Sequence, residues 1–136
     1  MILITNAHIV NEGRIFKGAV LVKNDIIDSI FKGDVPESVR EKAELIDASD
    51  CWLMPGVIDD HVHFRDPGMT EKADFYTESR AAVAGGVTSV MDMPNTNPAT
   101  ISLASWNEKM AMIGEKSLVN YSCYLGATNN NLDDVL

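Results

Sequence analysis

His61 and His63 stand two positions apart in the run DDHVHFRDPG (59–68), with Arg65 two positions further on and Pro67-Gly68 closing the run. In an extended segment, alternate residues share one face. Two imidazoles so placed can offer nitrogens to one metal ion, and zinc is the commonest such partner. The plainer alternative is a pair of structural histidines. Arg65 has a different task. An arginine beside a dication is electrostatically awkward unless an anion lies between them, and a planar guanidinium grips a carboxylate through two parallel hydrogen bonds. The spacing therefore points to a small-molecule substrate that bears a carboxylate, held by Arg65 with another of its atoms on the metal. The competing use of Arg65 is a surface salt bridge with Asp66 or Glu71.

Placing those side chains requires a strand, and "WLMPGVIDDHVHF" reads as one that is nearly continuous and apolar, expected to be buried on both faces as in a parallel sheet. The loop "RDPGM" follows. A helix is expected from about Glu71 to Ala84, capped by Thr70, with Phe75, Ser79, Ala82 and Val83 inward and Gly85-Gly86 ending it. "VTSVMDMP" reads as a second strand and "NTNPAT" as a loop leaving the same end of the sheet. Asn95 in that loop is a candidate substrate contact, with ordinary turn chemistry as its alternative. Asp92 and Thr96 are weaker candidates. A second helix is expected from about Ser102 to Glu115, with Leu103, Trp106, Met110 and Ile113 on one side. "LVNYSCYLGAT" makes a third strand, and a last helix opens at "NNNLDDVL", capped by Asn131 or an earlier Asn. Strands alternating with helices imply βαβ units and a parallel sheet, whether barrel or open. Active sites of such folds lie at the C-terminal ends of the strands.

Residues 1–52 are different. "ILITNAHIV" alternates, "AVLVKNDIIDSIF" is two runs joined across Lys23-Asn24-Asp25, and "ELIDA" is a further short strand, together suiting a small sheet. His8 stands alone there and reads as structural.

Composition excludes several function classes. The 136 residues are 46% hydrophobic and 23% charged, with a formal net charge of −9. An acidic chain is a poor partner for nucleic acid or an anionic membrane. No apolar run approaches the roughly 20 residues that span a bilayer, and no signal peptide is read at the start. Cys51 and Cys123 fit no Cys-x-x-Cys pattern and are expected to be buried free thiols. A cytoplasmic location is the simplest expectation.

The stretch from Pro55 to Pro98, "PGVIDDHVHFRDPGMTEKADFYTESRAAVAGGVTSVMDMPNTNP", closely resembles the dihydroorotases of the amidohydrolase superfamily in their longer, bacterial-type form, and the N-terminal strands resemble that family's small β-sandwich. The resemblance implies an α/β fold: residues 1–52 as part of the sandwich and residues 53–136 as the first βα units of a (β/α)8 TIM barrel, itself a fold of roughly 250 residues. It implies metal-dependent hydrolysis of a cyclic amide, interconverting dihydroorotate and N-carbamoyl-aspartate in pyrimidine biosynthesis, with one or two zinc ions. His61 and His63 match the first two metal ligands, and Arg65 and Asn95 match residues that bind the substrate carboxylate. Allantoinase-like and dihydropyrimidinase-like enzymes share the His-x-His but lack this arginine and the Met-Pro-Asn-Thr run. A homodimer is the assembly that the resemblance suggests.

The family's remaining groups (a bridging lysine or aspartate, further histidines and a late catalytic aspartate) match nothing here, and no histidine follows His63. The catalytic base is expected beyond Leu136, and residues 1–136 alone are expected to be inactive and poorly folded. A hydrolase of allantoin or hydantoins, or a catalytically dead assembly partner, are the alternatives.

Overall fold

The computed structural model describes all residues, Met1–Leu136. They form two compact units, Met1–Pro55 and Gly56–Leu136. No helix is long and apolar enough to cross a membrane.

In the first unit, β1 (Ile2–Asn11), β2 (Arg14–Lys23), β3 (Ile26–Phe31) and β4 (Glu44–Asp47) lie in the order β3-β2-β1-β4, with β5 (Trp52–Leu53) also paired to β1. Both hairpins turn where two successive residues take positive φ: Glu12-Gly13, then Asn24-Asp25 at the expected junction. Such turns match the twist of the flanking strands. Leu3, Ala7 and Ile9 alternate inward along β1. A four-residue helix, α1 (Glu37–Arg40), precedes β4. His8 lies beside Trp52, with ring centroids 5.4 Å apart and planes tilted by 35°.

The second unit alternates strand and helix: β6 (Val57–Val62), α2 (Phe75–Ala84), β7 (Val87–Asp92), α3 (Leu103–Lys116), β8 (Asn120–Cys123) and α4 (Leu132–Val135). Its strands are parallel in the order β6-β7-β8. The core gathers Val62, Phe64, Phe75, Val90, Ile113, Val119 and Cys123. Phe64 meets Phe75 edge to face at 5.0 Å between centroids, an arrangement worth about 0.5–1.5 kcal/mol beyond the area it buries.

The structure corrects the sequence reading in several places. The run from Trp52 to Phe64 is two strands in two sheets, broken at Met54-Pro55-Gly56. Pro55 has no N–H to give a ladder, and a Cβ on Gly56 would collide with the Thr88 side chain. Nor is β6 buried on both faces: it has a ladder partner on one side only, and Val57 and Ile58 are 52% and 71% exposed. Helix α2 starts later than expected. Its cap is Asp74, in extended backbone, accepting from the Thr77 N–H at 3.0 Å, while Thr70 lies in the preceding turns. Val83 and Leu103 face solvent. Asn131 precedes α4 without capping it, because its side chain accepts from Thr128 and donates to the Ile101 and Gly126 carbonyls. Cys123 is buried as expected, but Cys51 is exposed.

The Thr77 N–H holds the Asp74 carboxyl below the usual carboxylate range. A carboxylate stabilised in this way contributes fully above its unfolded value, near 3.9, and the contribution is lost as pH falls through the lower folded value. Asp74→Asn keeps a capping oxygen and removes the charge. Denaturant midpoints followed from neutral to acid pH are expected to show less acid loss in that variant than in the wild type.

Candidate active site

The two-residue alternation of β6 continues past its last ladder pair. Val62, Phe64 and Asp66 are buried, while His61 and His63 are exposed and Arg65 is partly so. The three residues singled out by the sequence thus leave one side of the chain at the C-terminal end of β6. The His61 and His63 rings lie 5.4 Å apart between centroids, with planes 55° apart. The Asp59 carboxylate accepts the His61 backbone N–H at 3.2 Å.

Asn95 enters from the loop after β7. Its Oδ1 lies 3.0 Å from His63 Nδ1. An amide oxygen only accepts, so the imidazole Nδ1–H donates, which leaves the lone pair on Nε2. That tautomer is the one a metal-ligating histidine needs, and a hydrogen bond to the second ring nitrogen is the usual way of fixing it. The donor set at this end of β6 is therefore two exposed imidazoles, one already oriented. It fits a metal ion as part of a ligand set, since a catalytic zinc takes about three protein ligands. Nowhere in the chain do three His, Cys, Asp or Glu side chains converge as a metal site would require.

Arg65 takes φ +63°, in the left-handed region that a side chain of its kind rarely occupies. The turn it begins is closed by the Met69 N–H donating to the Arg65 carbonyl at 3.0 Å. At Gly68, φ is +86°, and a Cβ there would overlap the Asn97 backbone. The Asn97 N–H donates to the Pro67 carbonyl at 3.1 Å, so the loops after β6 and β7 are in direct contact. The salt bridge weighed for Arg65 does not form. Asp66 is paired instead with Lys116, 2.6 Å away, and the chain's other ion pair is Lys109–Asp92.

That second pair is the feature sequence reasoning missed. Asp92 is fully buried, which removes it as a substrate contact, and Lys109 is 2% exposed. Asp92 Oδ2 accepts from Lys109 Nζ at 2.6 Å, Asp92 Oδ1 accepts the Phe64 N–H at 2.8 Å, and Lys109 Nζ also donates to the Met93 carbonyl at 3.0 Å. The available signal was Lys109 lying one position before Met110 and three after Trp106, within the inward arc of α3. Thr96 bonds within its own loop, to the Pro98 carbonyl and toward Thr100.

Breaking a buried pair leaves a charge without compensation. Lys109→Met is expected to cost about 3–5 kcal/mol in urea unfolding. Asp92→Asn combined with Lys109→Met is expected to recover most of that loss; an equal or greater loss in the double variant would contradict this account.

Comparisons with known proteins identify relatives of the chain. A family model described as "Dihydro-orotase-like" matches residues 51–134. A dihydroorotase of Methanosphaera stadtmanae is 38% identical over 118 residues, 86% of this chain and 27% of that protein. One from Carboxydothermus hydrogenoformans is 46% identical over 112 residues, 79% of this chain and 25% of that protein. An allantoinase of Desulfitobacterium hafniense is 35% identical over 133 residues, 97% of this chain and 29% of that protein. Among solved structures, the L-hydantoinase (dihydropyrimidinase) of Arthrobacter aurescens superposes with a TM-score of 0.88 at 30% identity, over 98% of this chain and 29% of that one. The chain thus spans between 25% and 29% of the length of these relatives. Its fold is the expected one: α/β, the N-terminal part of an amidohydrolase TIM barrel preceded by strands of the small β-sandwich.

Proposed function

The chain belongs to the dihydro-orotase-like family, and from that premise we propose that the protein is a zinc-dependent dihydroorotase. It would interconvert dihydroorotate and N-carbamoyl-aspartate in pyrimidine biosynthesis. In this reading residues 1–52 are part of the small sandwich domain and residues 53–136 open the barrel. The observation that carries it is the pair of exposed histidines His61 and His63 with the half-buried Arg65 following them, and Asn95 at 3.0 Å from His63.

His61 and His63 would hold the metal, which supplies Lewis acidity toward an amide carbonyl and acidifies a water molecule. Every other contribution from this chain is one of placement. Asn95 keeps His63 in the tautomer with Nε2 free. Because Asn95 Oδ1 is taken by His63, its Nδ2 hydrogens are free to donate to a carboxylate, and they donate to no protein group. Arg65, with no carboxylate partner inside the chain, has its guanidinium available for the same anion. Two such donors orient a ring whose amide is to be cleaved, and orientation of this kind is a major part of an enzymatic rate. A second reading, hydrolysis of allantoin or a hydantoin, is favoured by the likeness to the allantoinase and the L-hydantoinase.

Turnover of dihydroorotate, allantoin and hydantoin by the intact protein separates these readings, since preference for either of the latter two would displace the first. Arg65→Gln is expected to raise KM for dihydroorotate about ten- to a hundredfold, the worth of a hydrogen bond to a charged group. Loss of activity without any rise in KM would remove Arg65 from carboxylate binding. Asn95→Ala is expected to weaken zinc affinity about 10–100-fold, and His63→Ala to weaken it further, both by competition with a chromophoric chelator.

A further inference from the structure

The ladder between β6 and β7 ends at the pair Val62 and Asp92, closed by the Met93 N–H donating to the Val62 carbonyl at 2.9 Å. Beyond it the next inward residue, Phe64, still carries a buried backbone N–H, and a buried donor without a partner is costly. The Asp92 carboxylate meets it at 2.8 Å. The carboxylate could not stand there alone, fully buried and charged. Lys109 neutralises it from α3 and at the same time fastens the Met93 carbonyl, one residue before Pro94-Asn95.

We infer that the buried Asp92–Lys109 pair is a positioning device for the site, fixing Phe64 N–H, and so the backbone that aims His63 and Arg65, to the strand end that carries Asn95. Phe64 is the residue between His63 and Arg65, and nothing else in the chain accepts its N–H. One carboxylate therefore holds the backbone from which both side chains leave. Lys109 sets the loop of Asn95 from the same charge. The His63–Asn95 bond spans 32 residues of sequence, and it forms only if those two loops are held in step. Neither Asp92 nor Lys109 is exposed enough to touch a substrate, so both act through their neighbours. The consequence for catalysis rests on the dihydroorotase reading; the consequence for the backbone does not.

Two double variants of the intact protein isolate the device. D92N/K109M removes both charges and keeps an oxygen for Phe64 N–H, whereas D92L/K109M removes the acceptor as well. Three quantities are read: amide hydrogen exchange at Phe64 beside the ladder amides of Val90 and Met91, zinc affinity, and dihydroorotate kcat and KM. In the wild type and in D92N/K109M, Phe64 is expected to be protected like the ladder amides, with zinc affinity and kcat in D92N/K109M lowered by the lost Lys109–Met93 bond but well above those of D92L/K109M. In D92L/K109M, Phe64 loses protection while Val90 and Met91 keep theirs, zinc affinity drops about 10–100-fold, and kcat falls about a hundredfold. A folded D92L/K109M with wild-type affinity and kcat would overturn the inference, and so would a folded D92N/K109M that loses as much as D92L/K109M. Should D92L/K109M fail to fold, wild-type Phe64 exchange decides: protection supports the device, and free exchange overturns it. If the wild type does not turn over dihydroorotate, the functional reading falls, while the exchange and zinc measurements still judge the positioning.

Discussion

A parallel strand that ends at a functional site must satisfy two demands that conflict. Its last side chains have to face outward to do chemistry, yet its backbone must remain as fixed as in the sheet it is leaving. In this chain the conflict is resolved by carrying the strand's alternation beyond its ladder. Val62, Phe64 and Asp66 continue to point into the core while His61, His63 and Arg65 point out. Each inward residue is anchored by a different force: Val62 by ladder hydrogen bonds, Phe64 by its edge-to-face contact with Phe75 and its N–H on Asp92, and Asp66 by Lys116. The exposed residues inherit their placement from these anchors.

Helix α3 has an unusual part in this arrangement. Most of its inward face is apolar, as the periodicity of Trp106, Met110 and Ile113 requires. Through that face pass two lysines seven positions apart, reaching Asp92 and Asp66. A lysine can do this because its aliphatic stem packs with apolar neighbours while the ammonium finds an anion. The helix thereby holds two strand ends by ion pairs, where apolar packing alone would have held them without fixing their register.

What the sequence disclosed, and what it hid, follows from the range of the interactions involved. The outward face of His61, His63 and Arg65 is a period-two property of neighbouring residues, and the two hairpin turns of the first unit are equally local. Thr70 and Asp74 are both competent caps for α2 by residue type, and the turns closed by Met69 and Lys72 decide for Asp74. The burial of Lys109 was invisible because its partner lies 17 residues away in sequence and meets it only when β7 and α3 pack. The bond between His63 and Asn95 lies further still, across two loops. For the same reason periodicity groups Leu103 with Trp106, Met110 and Ile113 on one side of α3, whereas the first turn of the helix leaves it 55% exposed.

The two cysteines differ in a way that makes the molecule a convenient reporter on itself. Burial pushes the Cys123 thiol up from its ordinary value, whereas Cys51 is exposed. Since the thiolate is the species that reacts, a maleimide dye at neutral pH is expected to mark Cys51 well ahead of Cys123. The unit Met1–Pro55 then carries a single spectroscopic handle. A second equivalent of dye taken up over time would count the occasions on which the core beneath β8 opens, a clock for breathing motions that needs no engineered residue.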